Sequence, residues 1–244
     1  MDEVILATKR DSLGHFVEAL GINASEELIR ASEKGEAGKV RLFLSYEGLD
    51  INKGTVKDGT TALWAASQSG NTDIVELLLA HQDIDCNMDC AWEGSTALHA
   101  ASHNGHVRVV ELLLNQRGID INKGAAEDGT TALWAASKSG NADIVELLLA
   151  HPEIDCIADC AWDGSTALHV ASRNGHVRVV ELLLDQRGID VNSVTSDCGR
   201  TALWAASSQG HVEVVRKLIS QPDTDVNLGT SGMLFSCVST CVTT

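Results

Sequence analysis

The apolar positions of this chain come in short bursts that alternate in character. One burst, Ala62-Leu63-Trp64-Ala65-Ala66, is made mostly of small residues; the next, Ile74-Val75 with Leu77-Leu78-Leu79, is bulky and branched. Thr61 stands where it can cap a helix opening at Ala62-Leu63, and Gly70 falls where a left-handed residue would close that helix after about two turns. Asn71-Thr72-Asp73 then brings capping and acidic side chains to the first turn of a second helix, whose isoleucine, valine and leucines form a broad core-bearing face. Between Asp83 and Gly94 the residues alternate and include turn formers without a helical period, which predicts an extended, hairpin-like finger. The pattern is helix, turn, helix, finger.

This pattern repeats. Thr-Ala-Leu followed by Trp or His returns at Thr61, Thr96, Thr131, Thr166 and Thr201, a spacing of 35 residues each time. The following residue alternates Trp64, His99, Trp134, His169, Trp204, so the longer copy spans two units, and 51–120 and 121–190 are nearly the same text. A period of this size marks a stack of small supersecondary units, which offers a groove and an extended surface rather than a catalytic pocket.

The residues Gly59, Thr61, Leu63, Ala66, Gly70, Asn71, Ile74, Val75 and Leu77-Leu78-Leu79, closed by Asp-Ile-Asn, resemble the ankyrin repeat. The resemblance implies an all-α, helix-turn-helix solenoid of about six repeats with hairpin-like finger loops. It covers 24–228: a degenerate N-terminal cap repeat at 24–56, then repeats starting near 57, 92, 127, 162 and 197. Residues 1–23 are expected to form a helical extension over the cap, and 229–244 a loosely ordered tail. Ala replaces the family's Pro at Ala62, Ala97, Ala132, Ala167 and Ala202, which a helix start tolerates. Trp replaces the family's His in alternate repeats; an indole donates one hydrogen bond and accepts none, so the bracing there must differ.

Composition narrows the function. The 34 acidic against 18 basic residues, net −16, oppose a nucleic-acid partner or an anionic membrane surface, since both demand a surplus of Lys and Arg. No stretch approaches the roughly 18 apolar residues of a membrane helix. Seven cysteines and an N-terminus unlike a secretory signal imply a reducing compartment, cytoplasmic or nuclear.

Candidate chemistry is sparse. Cys86 with Cys90, and Cys156 with Cys160, raise a metal or redox role, but the four-residue step is not a zinc-knuckle spacing; Cys86 and Cys156 read instead as small buried hydrophobes. His99 and His169 fill the family's turn-bracing position, and His106, His176 and His211 its Gly-His position, so the periodic histidines read as scaffold. No phosphate loop, nucleophile elbow or zinc-protease helix is present, and the chain is expected to have no catalytic residues, metal or cofactor.

The resemblance implies a non-enzymatic protein-binding module, a monomer whose partner lies across the fingers and inner helices. By register the partner-binding residues are Lys57, Gln68, Trp92, His103, Asn104, Glu127, Lys138, Trp162, Arg173, Asn174 and Arg200. Thr60, Ser69, Ser95, Thr130, Ser139, Ser165, Asp197, Ser208 and Gln209 complete the rows. The acidic whole favours a basic or polar partner surface. Trp92 and Trp162, at equivalent fingertips two repeats apart, are the strongest candidates, because tryptophan is enriched among binding anchors; the alternative is that each folds back over a neighbouring finger. A second reading takes Asn52, Asn122, Asn192 and Asn227, which resemble the sites asparaginyl hydroxylases modify in ankyrin repeats, as a regulatory feature.

Overall fold

The computed structural model describes residues 23–90, 94–160 and 162–228. Among these, twelve helices form six consecutive helix-turn-helix pairs: α1 (Ala24–Glu33) with α2 (Ala37–Leu44), α3 (Ala62–Ser69) with α4 (Thr72–Leu79), and α5 (Ala97–Asn104) with α6 (Val107–Leu114). Then follow α7 (Ala132–Ser139) with α8 (Ala142–Leu149), α9 (Ala167–Asn174) with α10 (Val177–Leu184), and α11 (Ala202–Gln209) with α12 (Val212–Ile219). The expected 1–23 extension, except Asn23, and the 229–244 tail lie outside the described residues. The chain divides into two compact units, Met1–Ile119 and Asp120–Thr244.

The two units are built alike. In the first, α1, α3 and α5 pack side by side as one layer of inner helices and α2, α4 and α6 as a second, outer layer; in the second, α7, α9, α11 and α8, α10, α12 do the same. The small residues of the inner helices make this possible. Ala66, Ala136, Ala171 and Ala206 are fully buried, and without bulk at those positions adjacent helices approach closely. On the outer helices the core stripe is narrower than the sequence suggests. Ile74, Val75 and Leu78 are buried, as are Ile144, Val145 and Leu148, whereas Leu77 and Leu79 are half-buried. Positions i, i+1 and i+4 face inward on an eight-residue helix, and the remaining leucines turn toward its flanks.

Thr61, Thr131 and Thr201 cap their inner helices as expected, each side chain accepting from the backbone N–H three residues on. The second helices begin differently from the sequence reading. Asn71 makes no cap bond with its side chain; its amide reaches the preceding pair and donates to the carbonyls of Ser32 and Glu33, at 2.7 and 3.0 Å. His106, His176 and His211 occupy the same position, and their Nε2 atoms meet the carbonyls of Gln68, Lys138 and Arg173 at 2.9 to 3.0 Å. These carbonyls end an inner helix and have no partner within it, so the repeat that follows supplies one.

This clamp also explains the glycines. Gly70, Gly140 and Gly175 have φ of +70° to +76°, and a Cβ at any of them would lie 2.5 Å from Nδ1 of the next repeat's histidine. Both the left-handed backbone and the stacked ring demand glycine.

At the other end of each pair, Asn52 donates to the Asp83 carbonyl (2.6 Å) and accepts from the Asp85 N–H (2.9 Å), joining one finger base to the next. Asn122 does the same with Glu153 and Asp155, and Asn192 with Asp223 and Asp225. Of the four asparagines singled out in the sequence, these three are engaged as structural bridges.

Replacing Leu148, fully buried in α8, by Ala should cost about 2–5 kcal/mol of stability, because both transfer energy and a cavity count against the variant. Cys156→Val, at a half-buried position, should change stability little. Chemical denaturation of the two variants beside the parent measures the contrast.

Candidate partner-binding groove

The fingers are tight turns made to one pattern. In the finger of 125–130, the Ala125 N–H donates to the Thr130 carbonyl and the Gly129 N–H to the Ala125 carbonyl, both at 2.8 Å. The same pair of bonds closes 55–60, 160–165 and 195–200. Gly129, Gly164 and Gly199 take positive φ at the fifth position. The third position is the fingertip, occupied by Lys57, Glu127, Trp162 and Asp197.

The first position is buried in every finger but 55–60, where Thr55 is half-buried, and it corrects the sequence reading of the cysteines. Cys90 and Cys160 stand there and are 3% and 5% exposed, while Cys86 and Cys156 are only half-buried. Equivalent positions hold Ala125 and Thr195, also buried, so the site takes any small residue. Each buried thiol donates to the preceding finger, Cys90 Sγ to the Asp58 carbonyl and Cys160 Sγ to that of Asp128. Burial pushes the Cys86, Cys156 and Cys160 thiols above their ordinary value, which opposes the thiolate that metal ligation or redox exchange requires.

Fingers and inner helices enclose a groove in each unit. In the second, a groove of about 520 Å³ is lined by Lys138, Trp162, Arg173, Asn174 and Arg200, all expected from register, together with Trp134 and Trp204. In the first, a groove of about 790 Å³ gathers Lys57 and Gln68 with Arg30, Val56 and Trp64. Glu127 is exposed on its fingertip outside the second groove, and His103 and Asn104 are exposed on α5 outside the first. Trp92 lies outside the described residues. Asn104 and Asn174 donate back to the carbonyls of Ala100 and Val170 on their own helices, at 2.8 Å each.

Trp162 does not fold back. Its surface is 81% exposed, the reverse of what an indole adopts when a neighbour can cover it. Two cations of the groove lie against aromatic faces: Lys138 Nζ is 5.1 Å from the Trp134 ring centroid, and the Arg200 guanidinium carbon is 4.4 Å from that of Trp204. Register alone does not include Trp134 and Trp204 among the partner-facing positions. The available signal was their position one turn before exposed polar residues such as Lys138 on the same inner helix.

A family model for ankyrin repeats matches the chain in three copies, over residues 28–125, 122–195 and 152–230. The chain belongs to the ankyrin-repeat family. No curated protein matches it. Ankyrin repeats act as protein–protein interaction modules and are typically without enzymatic activity. Among the described residues no helix is long and apolar enough to cross a membrane, and no group of three or more His, Cys, Asp or Glu is placed to hold a metal ion.

The two kinds of ankyrin repeat in this chain brace their turns by different bonds. At His169, Nδ1 accepts from the Thr166 N–H (3.2 Å) while Nε2 donates to the carbonyls of Ser193 (3.0 Å) and Arg200 (3.1 Å), tying the inner helix to the next finger. At Trp134, with no acceptor nitrogen, the indole N–H donates forward to Ser165 Oγ at 3.2 Å, as Trp64 does to Ser95 at 3.0 Å. The repeats of Trp64 and Trp134 thus lose the reciprocal cap but keep a bond to the following finger.

His169 is buried, and burial holds its pKa below the ordinary histidine value despite the two carbonyls that favour the charged ring. The unfolded chain therefore binds a proton that the folded one refuses, and stability falls as pH drops from about 6.5 toward the lowered native pKa. His169→Gln keeps an acceptor for the cap but cannot titrate. The variant should melt earlier than the parent at pH 7.5 yet lose less of its melting temperature on going to pH 5.5; an equal loss in both proteins would remove His169 as a source of acid sensitivity.

Proposed function

We propose that this chain is a non-enzymatic binding module that captures a protein partner in the groove of its second unit, against the fingers and the inner helices α7, α9 and α11. The observation that carries the proposal is Trp162, a fingertip indole 81% exposed beside two further tryptophans that line the same groove. A bare tryptophan on a preformed turn can bury a large area on contact with little loss of side-chain freedom, which makes it an economical anchor. The tight backbone bonds of 160–165 and the Ser196 N–H bond to the Asp163 carbonyl, at 2.7 Å, support this by fixing the fingertip before any partner arrives. Free thiols at Cys86, Cys90, Cys156, Cys160 and Cys198 support a reducing compartment, and we place the protein in the cytoplasm or nucleus as a monomer.

The test pairs two tryptophans with opposite roles. Trp162→Ala should leave the melting temperature within a degree or two, since the side chain packs on little, and weaken a partner captured from native cells by ~2 kcal/mol or more. Trp134→Ala removes the bond to Ser165 and should lower the melting temperature with or without partner. Calorimetry and titration of both variants decide the matter. A much earlier melt for Trp162→Ala with unchanged affinity per folded molecule would make the fingertip a packing residue and sink the proposal.

A further inference from the structure

The groove of the second unit has an imbalance that the net charge of the chain hides. Its three carboxylates are occupied by their own fingers. Asp128 accepts from the Thr130 N–H and hydroxyl at 3.0 and 2.8 Å, Asp163 from the Ser165 N–H at 2.9 Å, and Asp197 from the Cys198 N–H at 2.6 Å. The groove's three cations, Lys138, Arg173 and Arg200, form no ion pair among the described residues, Arg200 acting on Asp197 only at longer range, whereas exposed bases on the outer helices, such as Arg178 and Lys217, are paired with Glu181. Lys138 and Arg200 rest on the faces of Trp134 and Trp204, which hold the cations in place but accept no directed hydrogen bond.

Arg200 adds an independent observation. Its Nε is shielded from solvent and has no hydrogen-bond partner, a donor left unsatisfied at the wall of the groove. Such a donor costs free energy while it stays unpaired, and a half-exposed guanidinium resting on an indole is suited to pairing with a carboxylate through its planar fork. Resting on the reading of the groove as a partner-binding surface, we propose that its occupant is an acidic peptide segment, whose Asp or Glu side chains pair with Arg173, Arg200 and Lys138 while an apolar or aromatic residue covers Trp162. This reverses the basic partner that overall composition suggests. Dense phosphate is disfavoured, because three fixed carboxylates sit among the three cations; isolated side-chain carboxylates can avoid them.

The experiment is selection of a random twelve-residue peptide display library against the full chain, followed by affinity measurement of the enriched peptides on the parent and on Arg173→Gln, Arg200→Gln, Trp162→Ala and Arg178→Gln. The expected pool is enriched in Asp and Glu. Its members should bind each groove-arginine variant roughly 10-fold or more weakly, with the loss growing smaller at high salt, and Arg178→Gln normally. Circular dichroism melts establish that the arginine variants remain folded; should Arg200→Gln melt below the assay temperature, the exposed Arg173→Gln carries the comparison alone. Peptides that require Trp162 but are basic, neutral or indifferent to both arginines would overturn the acidic occupant and leave the groove reading standing. Peptides indifferent to Trp162 and to both arginines would overturn both, as would a pool with no enrichment. Stronger binding of a phosphorylated counterpart peptide that lacks Asp and Glu would replace carboxylate with phosphate recognition and overturn the proposal.

Discussion

An eight-residue helix cannot stand alone in water, and a pair of them joined by one turn cannot bury the apolar stripe they share. Within each unit the packing and most of the polar bonds follow from the need of each pair to be completed by its neighbour. The inner helices carry alanine at the buried contact positions so that neighbours can approach, and the outer helices supply the bulk of Ile, Val and Leu. The polar bonds obey the same rule. Asn71, His106, His176 and His211 satisfy carbonyls at the end of the preceding inner helix, and Asn52, Asn122 and Asn192 join successive finger bases. Stability in such a stack is a sum over neighbour interfaces, so a weak repeat is felt mainly beside itself.

The stacking rule also generates the groove. Because each finger leaves its inner helix at the same place in the repeat, fingertip residues and inner-helix residues of successive repeats line one continuous face within a unit. Residues one period apart become neighbours in space, and alternation of Trp and His along the sequence becomes alternation along the groove wall. In the second unit the two Trp repeats flank a His repeat, and Trp134, Trp204 and the fingertip Trp162 line the same groove. The finger turns engage the groove's carboxylates in hydrogen bonds, while Lys138 and Arg200 lie on ring faces and Arg173 stands exposed.

Most of the fold was legible in the sequence because its signals are local and recur. Thr61 caps, Gly70 ends its helix in the left-handed region, and the ring of His169 braces its turn, all as the pattern implies. What escaped was the part decided between repeats. Asn71 looked like an ordinary cap, and only the position of the preceding helix reveals that its amide is used there instead. Cys86 and Cys156 looked buried because the family has apolar residues there; a finger turn that tucks its first residue inward buried Cys90 and Cys160 instead. Lys138, Trp162, Arg173, Asn174 and Arg200, grouped by register, line one groove, yet register does not show which charges are engaged, since that depends on hydrogen bonds within each finger turn.

The proposed binding face is the finger and inner-helix side of the second unit, with the outer helices as scaffold. The most direct measurement is site-specific photo-cross-linking in the native cell, with a benzophenone amino acid placed at Trp162 in one variant and at Arg178 on the exposed flank of α10 in another. A discrete protein adduct is expected from position 162 and none from 178. Adducts from 178 with none from 162 would put the partner on the outer helices instead and remove the groove as its site.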